Sequence, residues 1–125
     1  MALPELRHLD TTPLIGSELA SVLVAVQHLE LRFQHSSRKD ACRIDIEAGF
    51  ILRRRGAEAV KCDNATLRAA APALLELIGQ SVKLSSSEPT GELTFVFEGA
   101  TLTLLMSAQG FESYHLHTPN GSVTV

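Results

Sequence analysis

The chain carries the same short motif twice, once near its start and once past its middle. Leu14-Ile15-Gly16-Ser17 is the first copy, and Leu77-Ile78-Gly79-Gln80 is the second. Each copy is followed by segments in which apolar residues alternate with polar ones, which is the period of a half-buried β-strand. This repetition predicts two similar antiparallel β-meanders, and it is typical of a duplicated scaffold rather than of a catalyst.

The alternating segments define the strands that we expect in each half. The first half contains Leu29-Leu31-Phe33 and Cys42-Ile44-Ile46, and the second contains Leu93-Phe95-Phe97 and Leu102-Leu104. The inward-facing side chains of the predicted strands should form one core, as a sandwich or as a rolled half-barrel. This predicted core consists of Val24, Leu31, Phe33, Ile44, Ile46, Leu84, Phe95, Phe97, Leu102 and Leu104.

The segment between the halves is the one place where a helix is expected. Asn64 to Ile78 is rich in Ala and Leu, and Asp63 or Asn64 can cap its first turn. Pro72 should end the helix near Ala71, since proline lacks the backbone N–H and clashes with the preceding turn. We also predict a polar turn over residues 85–91. The sequence thus predicts a single α+β domain over residues 1–125, mainly antiparallel β, whose halves (about 14–62 and 77–125) are joined by a short helical linker.

Composition argues against several classes of partner. The net charge is −3, the chain contains no Trp, and the longest basic run is Arg53-Arg54-Arg55, so we expect no nucleic-acid partner. No leader sequence or bilayer-spanning segment is evident, which predicts a cytoplasmic protein with no membrane contact. Cys42 and Cys62 fit free thiols in that compartment, although export would allow a disulfide. Glycines are scattered without a phosphate-binding loop, and we expect no cofactor.

Several motifs of the chain, strongest in the second half, resemble one family. They are Leu77-Ile78-Gly79-Gln80, the alternating strands from Leu93 to Leu104, Phe111-Glu112-Ser113-Tyr114, and the turn at Asn120-Gly121. On these residues the chain is similar to a group of small uncharacterised bacterial proteins with an Ile/Leu-Gly opening and an aromatic-Glu-x-aromatic strand. Tyr114 stands where that family usually has Trp. The resemblance implies no established activity, but several relatives look like immunity or antitoxin-type proteins.

Two histidines and two cysteines have side chains that could bind a metal or act as a nucleophile. His115 and His117 leave the same face of a predicted strand and offer two metal ligands, but zinc needs three or four and no third is fixed by spacing. Cys42 beside His28 or His35 would suit a nucleophile and base. However, Cys42 alternates in phase with core residues, and a buried thiol is inert. We therefore predict no metal site and no catalytic cysteine.

Four carboxylates are candidates for general acid–base catalysis: Asp45, Glu47, Glu98 and Glu112. Asp45 and Glu47 share one strand face, as a paired-acid site would require. Charged side chains on the outer face of a sheet are the ordinary alternative. The sequence gives no reason to prefer catalysis, so we predict no catalytic residues and no enzyme.

Arginine and lysine residues are the predicted contacts to a partner. Arg53-Arg54-Arg55 beside Arg43 could form a basic strip, and the loop from Ser36 to Asp40 should be exposed. The predicted partner-binding residues are Arg38, Lys39, Arg53, Arg54 and Arg55.

Three hypotheses about function follow. The first is a non-catalytic bacterial protein-binding module, such as an immunity protein that neutralises a cognate toxin. The alternative is a structural or homo-oligomerising module, for example a homodimer, with a small-ligand groove between the halves. The third, an enzyme, requires a polar pocket that joins His115, His117, Glu112 or Asp45.

Overall fold

A computed structural model of the protein describes residues 11–35, 41–107, 112–119 and 121–125. Their regular elements are mostly β-strands, with one α-helix between the two halves of the chain. In chain order the strands are β1 (Glu18–Val24), β2 (Leu29–Gln34), β3 (Ala41–Ile46), β4 (Gly49–Arg54), β5 (Val60–Asp63), β6 (Leu84–Ser87), β7 (Leu93–Val96), β8 (Ala100–Leu104), β9 (Tyr114–Thr118) and β10 (Gly121–Thr124). The helix, α1, spans Leu67–Leu74, and short 3-10 segments occupy Thr12–Leu14, Asn64–Thr66 and Leu75–Leu77.

The strands form two five-stranded antiparallel sheets, which confirms the predicted fold class. The first sheet has the order β1-β2-β3-β9-β10, and the second has the order β5-β4-β8-β7-β6. Each half of the chain gives a three-stranded meander to one sheet and a two-stranded hairpin to the other. Strand β9 of the second half pairs with β3, and β4 of the first half pairs with β8. The duplicated meanders are therefore interlocked, each completed by a hairpin from the opposite half.

The two copies of the repeated motif pair with each other. Glu18 and Ser81, the residues that follow the motifs, form an isolated antiparallel bridge. Equivalent backbone hydrogen bonds flank this bridge in the two halves: Gly16 N–H to Val82 O (2.8 Å), Val82 N–H to Ser17 O (2.8 Å), Gly79 N–H to Leu19 O (2.9 Å) and Leu19 N–H to Gln80 O (3.0 Å). Gly16 and Gly79 have φ values of 86° and 94°, a conformation that glycine adopts without strain. The motif thus builds a local pseudo-twofold junction between the halves.

The core lies between the two sheets and draws side chains from both. Phe33 of β2 and Phe95 of β7 meet with ring centroids 6.4 Å apart. Of the predicted core, the buried members are Leu31, Phe33, Ile44, Ile46, Phe95, Phe97, Leu102 and Leu104. The prediction is wrong for Val24 and Leu84, which are 50% and 64% exposed. Val24 ends β1 and Leu84 begins β6, and each of these strands lies at the edge of its sheet, where no further strand among the described residues covers these side chains.

The helical linker differs from its prediction at Pro72. The helix passes through Pro72 to Leu74 instead of ending near Ala71. One face of α1, formed by Leu67, Ala71 and Leu74, is buried against β1 and β2 of the first sheet and β4 and β5 of the second. Because helix stability in proteins comes mainly from such packing, the burial of this face outweighs one missing N–H bond.

Two other local predictions have different outcomes. Asp63 caps the linker as predicted: its Oδ1 accepts the Thr66 N–H at 3.0 Å, while the Thr66 hydroxyl accepts the Asp63 N–H at 3.0 Å. The predicted polar turn over residues 85–91 is shorter than expected. Leu84–Ser87 forms the edge strand β6 by pairing with β7, a long-range contact that overrides the turn preference of serine.

Candidate functional site

The outer face of the first sheet carries two rows of polar side chains. Strand alternation sends Leu29, Leu31 and Phe33 of β2 into the core and leaves their neighbours outside. Across β2, β3, β9 and β10 the register aligns one row as Glu30, Asp45, His115 and Thr124, and the next as Arg32, Arg43, His117 and Ser122. We call these the acidic row and the basic row. The equivalent face of the second sheet has Thr94, Thr103, Ile51 and Lys61 in one row.

Ion pairs between the two rows hold the centre of this face together. Glu30 lies opposite Asp45, and like charges directly opposite each other repel. Arg43 relieves this repulsion, since its Nε lies 3.2 Å from Asp45 Oδ1 and 3.6 Å from Glu30 Oε1. Arg32 Nε lies 2.6 Å from Glu30 Oε2, although the Glu30 side chain is only 9% exposed. The two guanidinium groups therefore offset the charge of the two least exposed carboxylates of the face, while Arg43 Nε and Asp45 Oδ1 are buried without a hydrogen-bond partner among the described residues.

His117 is bound into the same ion-pair group. Its Nε2 lies 3.1 Å from Arg43 Nη2 and 3.4 Å from Asp45 Oδ2, and its Nδ1 lies 2.8 Å from Ser122 Oγ. A guanidinium offers only donors, so Nε2 is the acceptor of this contact. His117 thus serves as an acceptor for Arg43, with its ring oriented by the hydroxyl of Ser122.

His115 has a different environment, dominated by carboxylates. Its Nε2 lies 2.7 Å from Glu47 Oε2 and 3.1 Å from Glu112 Oε2, and its Nδ1 lies 2.9 Å from Thr124 Oγ1. Its ring stacks on that of His117, with centroids 6.4 Å apart, as the shared strand face predicted. The sequence identified Glu47 as a candidate carboxylate but did not link it to His115, because the two residues come together only through the pairing of β3 with β9.

The structure brings three of the four candidate carboxylates to the histidines. Asp45 contacts His117, and Glu47 and Glu112 contact His115, whereas Glu98 lies exposed in the β7–β8 hairpin of the second sheet. The residues required by the enzyme hypothesis therefore share one face instead of diverging into solvent. They lie on the surface of a sheet, and each is engaged with a neighbour of opposite charge or with a hydroxyl.

The cysteines lie in the core. Cys42 and Cys62 are both buried, each 4% exposed. Burial raises the pKa of Cys62, which disfavours its thiolate. Cys42 faces inward with Ile44 and Ile46, as its alternation predicted.

The predicted arginine strip does not form as a single surface. Arg43 belongs to the outer face of the first sheet, whereas Arg53 and Arg54 lie on β4 of the second. Arg53 and Arg55 are exposed, while Arg54 pairs with Glu76 at 2.5 Å and donates to the Glu58 carbonyl at 3.4 Å. Sequence proximity could not show that β3 and β4 enter different sheets. Arg38, Lys39, Phe111 and Asn120 lie outside the residues that the structure describes.

No protein-family model matches this chain, and comparison with curated proteins and with solved structures gives no significant match to either. Within the described ranges, no helix has the length and apolar character needed to cross a bilayer.

Proposed function

We propose that this chain is a non-catalytic bacterial protein-binding module, and that its partner binds at the free edge of β1. The observation that carries this proposal is an exposed apolar group beside an edge strand. Leu23, Val24 and Val26, at the β1–β2 hairpin, are 49%, 50% and 82% exposed. Apolar side chains clustered at a strand edge are typical of protein interaction sites.

The geometry of β1 suits the addition of an extended strand. Residues 18 and 19 of β1 are engaged at the motif junction, but from Ser21 to Val24 the strand pairs only with β2 among the described residues. A partner strand would gain backbone hydrogen bonds along this edge. Leu23 lies opposite Glu30 in register, so the same partner would also border the acidic row.

The charge of the chain indicates the chemistry of this partner. The net charge is −3, and Glu112, near the far end of the same face, has a side chain that is 61% exposed. A basic protein would be attracted to this face, and such steering raises association rates. An immunity protein that neutralises a basic cognate toxin in the cytoplasm is the specific form of the proposal, and two cysteines buried in the core fit that compartment.

A capture experiment with matched variants tests this proposal. The tagged chain is used to capture proteins from a lysate of its host, and bound proteins are quantified by mass spectrometry. The double variant Leu23→Ser, Val26→Ser should reduce recovery of one stoichiometric partner by about 10-fold, since each buried apolar side chain contributes on the order of 1 kcal/mol or more. Leu84→Ser is the control, because Leu84 is also exposed but lies on the edge of the second sheet. Equal losses in both variants would contradict the assigned surface.

The predicted arginine contacts form a second part of the same experiment. Arg53 and Arg55 are exposed and could contact only an acidic patch on the otherwise basic partner, so reversing their charge at such a contact should slow association. The variant Arg53→Glu, Arg54→Glu should weaken capture if these residues touch the partner. Capture at the wild-type level would remove the arginines from the interface while leaving the β1 edge in place.

The alternative function, a homo-oligomerising module, uses the same edge. Two copies can pair their β1 strands antiparallel and bury both apolar groups, leaving a groove between the halves for a small ligand. Light scattering on the purified chain distinguishes the two functions. A dimer mass that becomes a monomer mass in Leu23→Ser, Val26→Ser favours the alternative, and a wild-type monomer favours a separate partner.

A further inference from the structure

We infer that Glu47, Glu112 and His115 form a binding site for one divalent transition-metal ion, of which zinc is the best match. One imidazole nitrogen and two carboxylate oxygens, each from a different residue, lie within 4.8 Å of one another. The sequence offered two histidines and no third ligand. The fold instead combines one of these histidines with carboxylates from two other segments.

The distances between the ligand atoms lie close to those of ligands that share one ion. Protein ligands bind zinc at about 2.0–2.2 Å, so two ligand atoms of one ion lie roughly 2.9–3.5 Å apart. His115 Nε2 lies 2.7 Å from Glu47 Oε2 and 3.1 Å from Glu112 Oε2. Small side-chain rotations of the two glutamates therefore make room for the ion. Three protein ligands on an exposed face leave the remaining positions to water.

The histidine ring is already oriented for this role. Its Nδ1 lies 2.9 Å from Thr124 Oγ1, an outer contact of the kind that fixes the ring of a metal-binding histidine and points its other nitrogen at the ion. Glu47 is also held in place, because its backbone N–H donates to the Ser113 carbonyl at 2.9 Å, next to Glu112. The three ligands thus belong to one frame, built from the end of β3 and the start of β9.

The local charge favours a cation at Glu47, Glu112 and His115 over a second cluster of possible ligands on the same face. Glu47 and Glu112 have His115 as their one ion-pair partner in the described part of the chain, and one Nε2 proton cannot satisfy two carboxylates well. A second group of similar composition, His28, Glu30 and Asp45, lies on the same face. There, Arg32 and Arg43 already neutralise the carboxylates, so an added cation gains little.

The ligand types select the class of ion. An imidazole favours zinc, copper, nickel or iron over magnesium and calcium, while the two carboxylates favour hard cations. The mixed set therefore suits zinc and similar ions, and magnesium should compete poorly because it prefers oxygen ligands in octahedral geometry.

Calorimetric titration of the untagged full chain with zinc chloride tests the site. We expect one ion per chain, with binding that weakens at low pH because the ligands must lose protons. Glu112→Gln should weaken binding about 10-fold or more, and because Glu112 is exposed this variant should keep its fold. His115→Ala should have at least as large an effect. His117→Ala is the matched control, since it removes a histidine from the same strand face outside the site.

A second variant tests the orienting contact. Thr124→Val removes the hydroxyl beside His115 Nδ1 and should weaken zinc binding by roughly 10- to 100-fold without removing a ligand. The visible spectrum of the cobalt-substituted chain should show ligand-field bands and no thiolate charge-transfer band, since both cysteines lie in the core.

Three results would overturn the inference. They are the absence of saturable zinc binding to the wild-type chain, full binding by Glu112→Gln and His115→Ala, and loss of binding in His28→Ala with Glu112→Gln unaffected. The last result would place the ion at the arginine-neutralised group. None of these results depends on the protein partner, so the inference and the proposed function fail separately.

Discussion

Tyr114 joins the two sheets through a single hydroxyl. It is fully buried, lies on β9 of the first sheet, and donates to the Gly91 carbonyl, which precedes β7 of the second sheet, at 2.8 Å. Tyr114→Phe keeps the ring and leaves a buried carbonyl without its donor, which should lower the free energy of unfolding by about 1–3 kcal/mol. Urea denaturation at neutral pH measures this loss. An unchanged midpoint would show that water replaces the hydroxyl.

The buried hydroxyl of Tyr114 should also affect how the stability of the protein depends on alkaline pH. Burial raises the pKa of Tyr114 above its ordinary value, and burial also raises that of Cys62. As pH rises, the unfolded chain therefore loses these protons before the folded chain does. The free energy of unfolding should fall as pH rises through about 9, where an unfolded cysteine ionises, and about 10, where an unfolded tyrosine ionises. Tyr114→Phe should be less stable than the wild type at neutral pH but should lose stability less steeply above about pH 10. Parallel curves for the two proteins would contradict this assignment.

At the scale of the element, the cap at Asp63 determines where the helical linker begins. Hydrogen bonds from Thr66 lower the pKa of Asp63, so its stabilising effect is present above about pH 4 and is lost as pH falls below that value. Asp63→Ala should lower the urea midpoint at neutral pH, and the difference from wild type should shrink toward about pH 3. Asp63→Asn is the control, because an amide oxygen still caps the helix but does not titrate there.

Strand β4 begins at a glycine that no other residue can replace without strain. Gly49 has a φ of 136°, and a Cβ atom there would lie 2.2 Å from the Cys62 carbonyl oxygen on the paired strand β5. Gly49→Ala should therefore destabilise the fold by about 3 kcal/mol or more. Gly99→Ala is the comparison, since a Cβ in that hairpin meets nothing within 4 Å. Thermal unfolding followed by circular dichroism should separate the two variants clearly.

At this scale the sequence predicts which segments form strands and which face of a strand each side chain takes. Alternation identified β2, β3, β7 and β8, because which face a side chain takes depends only on the strand period. The exposure of Val24 could not be predicted in this way, since it depends on which strands form the sheet edges. The same holds for the candidate site. The strand period predicts that His115 and His117 share one face, but the contact of Glu47 with His115 depends on the pairing of β3 with β9, which the sequence does not reveal.

At the scale of the molecule, the two halves of the chain depend on each other. Each sheet contains a meander from one half and a hairpin from the other, joined at the β3–β9 and β4–β8 pairings. The repeated motifs close the arrangement at the Glu18–Ser81 bridge. A half that unfolded alone would remove strands from both sheets and expose the shared core, so a stable half-folded state is not expected.

This interlocking predicts a single cooperative unfolding transition. The chain has one Tyr and no Trp, so the fluorescence of Tyr114 reports on β9 in the first sheet, while far-ultraviolet circular dichroism reports on all strands. The two signals should give the same urea midpoint and the same slope, as expected for a single domain that unfolds in one step.

The test is sharper in Gly49→Ala, which strains β4 in the second sheet directly. If the halves are coupled as the topology requires, this variant should shift the Tyr114 signal by as much as the dichroism signal. A shift confined to dichroism would mean that the second sheet loosens while the first stays folded, and the two sheets would then be separate folding units.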